Sequence, residues 1–181
     1  PDALVELTLA EAGRIDPERL TRLHESRLRL SPYALGMVGL AEHLAAQAEG
    51  ADEGGGVWAA RRDVVVRNLK QFVVRDAENQ SAYLDLPGGY WWRWYGSEHE
   101  AHAVFLRLLT ATEPRADLAP GVVKHLLANR RHASRWNSTR DTAMVVEALA
   151  EYSLASGESA VEGEVEVWLD GKRRATQSYD A

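Results

Sequence analysis

The sequence contains no cysteine among its 181 residues. This absence excludes a disulfide scaffold, a cysteine-ligated zinc site and a thiol nucleophile within the chain. The sequence also lacks an apolar run approaching the roughly 18 residues of a membrane span. Basic side chains are fewer than acidic ones, 21 against 27, and the net charge of −6 argues against a nucleic-acid binder. We therefore expect neither nucleic acid as a partner nor a membrane span in this segment.

The composition is typical of a soluble globular domain. Hydrophobic residues make up 45% of the chain and charged residues 27%, which is enough apolar material for a core without the excess charge of a disordered segment. The chain begins at Pro1 without a methionine or a targeting signal, and it ends in what reads as a β segment. We interpret it as a piece of a longer protein.

Apolar periodicity and helix start signals predict about seven helices over the first 156 residues. Asp16-Pro17 and Ser31-Pro32 each place a capping residue before a proline at the first helical position. Ser97 with Glu100 has the spacing of a capping box, and Ser138 is the predicted cap of the last helix. The predicted helices are 2–12, 16–27, 32–48, 61–74, one opening at 98, one capped by Asp117, and one running from 138 to about 155.

Two stretches have the pattern of β structure. Residues 80–95 lack a helical period, and Pro87-Gly88-Gly89 predicts a loop or an irregular hairpin between 81–86 and 90–95. After Gly157 apolar and polar residues alternate, and Asp170-Gly171 is a hairpin signal with 174–179 as the returning strand. The pattern change places a boundary between 1–156 and 157–181.

The spacing of three tryptophans indicates a weak internal repeat. Trp58, Trp94 and Trp136 are separated by 36 and 42 residues, and each stands next to a predicted helix start. A tryptophan at the mouth of each helical hairpin would indicate stacked αα-hairpins, which close into an α/α toroid or continue as a solenoid. The alternative, that the tryptophans only fill the core, stays open.

The run Glu98-His99-Glu100-Ala101-His102 is the first candidate for a metal site. His99 and His102 are three residues apart and can share one helix face, but two intervening residues do not make the zinc-protease spacing. The apolar face runs through Ala101 and Phe105, largely away from the histidines. The helix dipole alone explains acidic residues in a first turn. We predict no metal site here.

Paired carboxylates are the second candidate, because glycoside hydrolysis needs two carboxyl groups facing each other across a cleft. Glu98, Glu100 and Asp141 lie at helix starts and could converge at one end of a toroid. Their positions are equally explained by capping. The chain has no Gly-x-Ser-x-Gly elbow, and 54–56 is a glycine run without the lysine of a phosphate loop. We predict no catalytic, cofactor-binding or metal-binding residue and no cofactor.

Residues 90–151 carry a family resemblance. The run 97–103 opens a leucine-rich helix, and 126–131 (Leu-Leu-Ala-Asn-Arg-Arg) ends the next one. The run 136–143 (Trp-Asn-Ser-Thr-Arg-Asp-Thr-Ala) then leads into a helix containing 146–152 (Val-Glu-Ala-Leu-Ala-Glu-Tyr). This order resembles the C-terminal half of the thioester domain of the α2-macroglobulin and complement family, bacterial type.

The resemblance implies a mainly α fold of antiparallel helical hairpins that form part of an α/α toroid over 1–156. It also implies a short C-terminal β-hairpin, with 157–181 starting the β-sandwich domain that follows. The family's Cys-Gly-Glu-Gln thioester would lie upstream, so no residue here takes a role in it. The implied function is a non-enzymatic scaffold within a large periplasmic or extracellular protease-trapping protein, an endopeptidase inhibitor. Its partners would be proteases, bound through the full-length protein, and other domains of the same chain.

Two other functions stay open: a toroid carbohydrate-active enzyme using Glu98, Glu100 or Asp141, and a helical-repeat protein-interaction module. A partial toroid would also bare apolar flanks on its first and last helices, and weak self-association of the fragment would follow. The residues expected to be bared are Leu4, Leu7, Leu9, Val145, Val146 and Leu149.

Overall fold

A computed structural model describes residues 2–50, 56–86, 96–114, 116–131, 134–157 and 163–179. These residues form seven α-helices and two antiparallel two-stranded sheets. The helices are α1 (Asp2–Glu11), α2 (Pro17–Glu25), α3 (Pro32–Ala48), α4 (Val57–Lys70), α5 (Glu98–Thr112), α6 (Leu118–Ala128) and α7 (Thr139–Ser156). The strands are β1 (Val73–Asp76), β2 (Ser81–Leu84), β3 (Gly163–Leu169) and β4 (Lys172–Tyr179). The predicted mainly helical chain with a C-terminal hairpin is confirmed.

The predicted helix starts mostly reflect real caps. The Asp16 carboxylate accepts two backbone N–H groups in the first turn of α2, at 3.0 and 3.1 Å, and the Ser31 hydroxyl accepts one in α3 at 3.1 Å. Proline follows each cap as expected. Asp117 is different, because its own φ and ψ (−61° and −10°) are helical and its side chain makes no capping bond. The prediction of a cap at Asp117 is wrong.

The helix predicted over 61–74 is displaced. α4 begins four residues earlier, and the chain has turned into β1 by Val73. Val73 and Val74 are β-branched and favour a strand. The Asp76 carboxylate then accepts the N–H groups of Glu78 and Asn79, both at 3.1 Å, and so builds the turn into β2. β2 therefore pairs with β1. The sequence had predicted a loop or an irregular hairpin between 81–86 and 90–95. Residues 87–95 lie outside the described residues.

Two glycines let α3 lie unusually close to α5. A Cβ atom placed on Gly36 would lie 2.7 Å from the side chain of Val104, and one placed on Gly39 would lie 2.8 Å from Leu108. Real Cβ atoms essentially never show contacts this short, so a side chain at either position would force its buried neighbours to shift. Because the later residue of α3 meets the later residue of α5, the two helices run in the same direction.

The same glycines fix the direction of α4. A Cβ atom on Gly39 would lie 2.9 Å from Val65, and one on Gly36 would lie 3.9 Å from Leu69. Here the later residue of α3 meets the earlier residue of α4, so these two helices are antiparallel. Together they form an antiparallel helical hairpin of the kind that was predicted.

α7 runs parallel to α5. Arg107 of α5 bonds Glu11 at the end of α1 at 3.0 Å, and it also bonds Glu151 in the second half of α7 at 3.0 Å. The first turns of α3, α5 and α7 likewise meet one another, as described below. α3, α5 and α7 are called the three parallel helices from here on. No helix among the described residues is long and apolar enough to cross a membrane.

Trp58 and Trp136 do not follow the predicted repeat. Trp58 lies inside the first turn of α4 and its Nε1–H donates to Glu49 at the end of α3, at 2.9 Å. Trp136 precedes α7, and its Nε1–H donates to the Leu126 carbonyl at 2.9 Å. Because α4 opposes the three parallel helices, the two indoles lie at opposite ends of the helices. Trp94 lies outside the described residues.

The C-terminal hairpin is exposed on both faces. Its turn is formed by Asp170 and Gly171 as predicted, both with positive φ (52° and 70°), which suits the right-handed twist of a tight hairpin. Every residue from Glu164 to Ser178 is exposed. The exposed side chains include a large apolar set: Val165, Val167, Trp168 and Leu169.

The apolar flanks of the first and last helices, α1 and α7, are exposed to solvent only in part. Leu4 and Val146 are 47% and 52% exposed, as expected for faces without a neighbour. Leu7 and Val145 were also expected to be bared, but they are 4% and 0% exposed because they pack into the helical core. Self-association through the remaining flanks stays a prediction.

The glycine contact gives a stability prediction. Gly39→Ala adds a methyl group between Leu108 and Val65, which are both fully buried. Overpacking of about 1–3 kcal/mol exceeds the gain of about 1 kcal/mol in helix propensity, so we expect a net loss of about 1 kcal/mol in a urea unfolding curve. Exposed Ala150→Gly in α7 is the control for propensity alone. A Gly39→Ala protein as stable as the parent would contradict the close packing.

Candidate functional site

The first turns of α5 and α7 are joined through their caps. The Ser97 hydroxyl accepts the Glu100 N–H at 3.1 Å and donates to the carboxylate of Asp141. The Ser138 hydroxyl accepts the Asp141 N–H at 3.0 Å, so both predicted serine caps are confirmed. Asp141 is 2% exposed. The Asp141 carboxylate thus accepts a hydrogen bond from Ser97, the cap of α5, while the Asp141 N–H donates one to Ser138, the cap of α7.

Glu100 does not complete the capping box. Its carboxylate turns instead to Arg140, whose Nη2 lies 2.6 Å from Glu100 Oε2 and 3.0 Å from the Tyr33 hydroxyl. Glu100 is 3% exposed and Tyr33 6%. Tyr33 lies in the first turn of α3, so residues of three first turns meet in this group, which we call the first-turn cluster: Tyr33, Ser97, Glu100, Arg140 and Asp141.

Burial dominates the electrostatics of the first-turn cluster. It raises the pKa of Glu100, and the charge of Asp141 acts in the same direction while Arg140 opposes it. Burial and the neighbouring Glu100 raise the pKa of Tyr33 to about 12. Arg140 supplies the compensating charge and keeps its side chain about half exposed. The cluster therefore holds two buried carboxyl groups that are both engaged in hydrogen bonds.

The three carboxylates weighed for glycoside chemistry are only partly brought together. Glu100 and Asp141 are neighbours in the first-turn cluster, as the convergence hypothesis required. Glu98 is exposed and lies instead beside His102 and His125. A glycosidase needs both carboxyl groups open to a cleft. Glu100 and Asp141 are almost completely buried, and their hydrogen bonds account for them as structural groups.

His102 is a buried histidine with both ring nitrogens occupied. Its Nδ1 lies 2.7 Å from the Glu98 carbonyl, and its Nε2 lies 2.9 Å from the Leu84 backbone nitrogen. The carbonyl can only accept and the N–H can only donate, so the ring is neutral with its proton on Nδ1. Burial, followed by the nearby His125, lowers the pKa of His102 to about 4. The residue ties β2 to α5.

The predicted histidine pair is not the group that the fold assembles. Potential ligand atoms of Glu98, His102 and His125 lie within 4.8 Å of one another, while His99 is outside this group. His125 comes from α6 and its ring packs against His102 with centroids 4.6 Å apart. A metal on His102 would displace the Leu84 N–H from Nε2 and leave a buried donor unpaired. The donor set therefore fits a structural contact better than a metal centre.

Comparison with protein-family models, curated proteins and solved structures finds no match to this chain.

Sequence reasoning missed Tyr33, His125 and the partner of Arg140. Tyr33 is separated from Glu100 by more than sixty residues, and no local pattern links them. Arg140 lies inside the Ser-Thr-Arg-Asp run that was noted for its resemblance, but its role as the counter-charge of a buried glutamate depends on the packing of α5 against α7. The two serine caps were found because capping is a local property.

The Ser138 cap gives a direct prediction. Ser138→Ala removes the acceptor of the Asp141 N–H and should lower the free energy of unfolding by about 1 kcal/mol. Chemical denaturation measures this loss. Exposed Ser178→Ala in the C-terminal hairpin is the control, since its side chain caps no helix. An unchanged midpoint for Ser138→Ala would remove the capping argument.

His102 predicts a pH dependence of stability. The fold lowers its pKa from 6.5 to about 4, so its contribution is complete above pH 6.5 and is lost as the pH falls toward 4. Between pH 7 and pH 5 we expect a loss of about 2 kcal/mol from this residue. The measurement compares urea unfolding of the parent and of His102→Gln at both pH values. If the parent loses no more stability than the variant, the assignment is wrong.

Proposed function

We propose that the chain is a scaffold unit, part of the α/α toroid of a large secreted or periplasmic α2-macroglobulin-like protease-trapping protein. The observation that carries this proposal is the set of three parallel helices. A toroid of helical hairpins needs inner helices that all run one way and return helices that run the other way. The parallel α3 and α5 with the antiparallel α4 satisfy this requirement.

The first-turn cluster also supports a scaffold. Both of its carboxyl groups are used to join helices, Asp141 to Ser97 and Glu100 to Arg140. A toroid enzyme would keep such carboxyl groups open to its substrate. Their burial favours a structural role over the carbohydrate-active alternative.

The C-terminal hairpin supports a place within a larger protein. An isolated two-stranded hairpin is marginally stable in water. β3 and β4 expose both faces, and Val165, Val167 and Leu169 form an apolar row of the kind that packs inside a β-sandwich. We infer that this row packs against further strands of the same protein, as the start of a β-sandwich domain.

The test uses the full-length protein that contains this chain, incubated with trypsin. A protease held in a cage loses access to large substrates but still reaches small ones. We expect azocasein hydrolysis to fall while hydrolysis of a small chromogenic peptide persists. The 181-residue chain alone should change neither rate. Equal rates on both substrates with and without the full-length protein would contradict the proposed function.

A hairpin variant tests the scaffold role separately. Val167→Asp should leave the thermal stability of the isolated chain nearly unchanged, because Val167 is 52% exposed there. In the full-length protein the same change buries a charge in the proposed β-sandwich and should abolish trapping. Glu164→Gln, on the other face of β3, is the matched control. Full trapping by Val167→Asp would show that the hairpin does not pack as proposed.

A further inference from the structure

The helix α2 is held on the rest of the helices mainly by polar contacts. Its 9 residues are all described, and among them only Leu20 is buried. A single turn of 3₁₀ helix, Arg27–Arg29, follows it and adds no buried residue. Polar pairs attach α2 to three neighbouring helices: Arg19–Glu6 of α1 at 2.8 Å, His24–Glu42 of α3 at 2.7 Å and Thr21–Arg61 of α4 at 2.7 Å.

Residues 17–29 are called the α2 segment from here on. Segments with few buried apolar contacts open locally at a lower free energy than the core of the same protein. The α2 segment is therefore the part of the helical region in which a change of one polar contact has the largest effect on local opening.

The contact of the α2 segment with α3 involves a fully buried carboxyl group. Glu42 is 0% exposed, and its Oε1 lies 2.7 Å from Nδ1 of His24. Its Oε2 is buried as well and has no hydrogen-bond partner among the described residues. An ionised carboxylate that lacks water and has a single hydrogen bond is strongly disfavoured. Because His24 belongs to α2, moving the α2 segment away lets water reach Glu42.

Burial is the strongest influence on the pKa of both groups. It raises the pKa of Glu42 to about 8 and lowers the pKa of His24 to about 4. The guanidinium groups of Arg27, in the α2 segment, and Arg61, in α4, act to lower both pKa values. Further charged side chains on α1, α3, α4 and α5 have partners of their own: Glu6 with Arg19, His43 with Arg62, and Arg107 with Glu11 and Glu151.

The number of protons on the pair differs between the docked and the open segment. While the segment is docked, His24 and Glu42 together hold one proton between about pH 4 and about pH 8, whichever group carries it. With the segment open, both groups return to their ordinary pKa values of 6.5 and 4.5, and the pair holds no proton above pH 6.5. Between pH 6.5 and pH 8 the docked form thus binds one proton more, so raising the pH favours the open form about tenfold per pH unit.

We propose that the α2 segment is a pH-operated flap, which is held against α3 by the single proton that His24 and Glu42 share and opens when that proton is lost. Opening hydrates Glu42 and uncovers the surface on which Leu20 is buried. The helices α3, α4 and α5 stay packed at their glycine contacts, so the opening is local. The flap responds above pH 6.5, whereas His102 affects stability below that pH.

The test is hydrogen–deuterium exchange of the 181-residue chain, measured by mass spectrometry between pH 5.5 and pH 8. Exchange rates are divided by the intrinsic chemical rate at each pH to give a protection factor. We expect the protection of 17–29 to be constant from pH 5.5 to pH 6.5 and to fall about thirtyfold from pH 6.5 to pH 8. Low concentrations of urea should speed exchange in α5 but not in 17–29, because a local opening exposes little surface.

Variants assign the proton to the pair. Glu42→Gln removes the carboxyl group, so the protection of 17–29 should stay constant between pH 6.5 and pH 8. His24→Asn keeps an amide near the position of Nδ1 but cannot take up a proton, so the fall should begin near pH 4.5, the ordinary pKa of the exposed glutamate. Glu25→Gln, at an exposed position of the same helix, is the matched control and should behave like the parent.

Three results would overturn the proposal. The first is a protection factor of 17–29 that does not change between pH 6.5 and pH 8. The second is exchange of 17–29 as slow and as sensitive to urea as that of α5, which would mean that the segment opens only when the whole chain unfolds. The third is a thirtyfold fall that persists in Glu42→Gln.

A spectroscopic measurement on the parent replaces the variants if Glu42→Gln does not fold. The side-chain carboxyl carbon of Glu42 and the ring of His24 are followed by nuclear magnetic resonance as the pH is raised. Together they should show one titration step near pH 8 and none between pH 5 and pH 7. A pair that has lost its proton by pH 6.5 would contradict the proposed flap.

Discussion

The close approach of α3 to α5 and α4 at Gly36 and Gly39 is the constraint on which the helical arrangement depends. A side chain at either position would push the helices apart, because the opposing Val104, Leu108 and Val65 are themselves fully buried. The contact fixes α5 parallel and α4 antiparallel to α3. α7 shares the direction of α5, because their first turns meet and Arg107 of α5 bonds Glu151 in the second half of α7.

The parallel arrangement gives the two ends of the helices different chemistry. First turns meet at one end, where their free N–H groups and positive dipole ends favour carboxylates. Glu100 and Asp141 occupy that end, together with the serine caps and Arg140. Carboxyl ends meet at the other end, where Arg107 lies among three glutamates beside a half-open groove. One end is therefore filled by a polar network, while the other keeps an open volume.

Local sequence signals predicted the elements well where one residue decides the outcome. The caps at Asp16, Ser31 and Ser138 and the turn at Asp170 all form as expected, since each depends on backbone groups a few residues away. The prediction failed at 61–74, where the apolar spacing of a helix continues into Val73 and Val74. There the pairing of β1 with β2 outweighed the periodicity, and that pairing depends on a turn built by Asp76.

The sequence by itself determined the capped starts of α2, α3, α5 and α7, the C-terminal hairpin and the lack of cysteine chemistry, because these depend on composition and on contacts within one turn of the chain. Only the tertiary structure decided which titratable groups meet. It separated Glu98 from Glu100 and replaced His99 by His125 beside His102. Residues two positions apart on a helix point to different sides, and residues three apart share a face but meet different neighbours along it. The identity of those neighbours is set by the packing of helices distant in the chain.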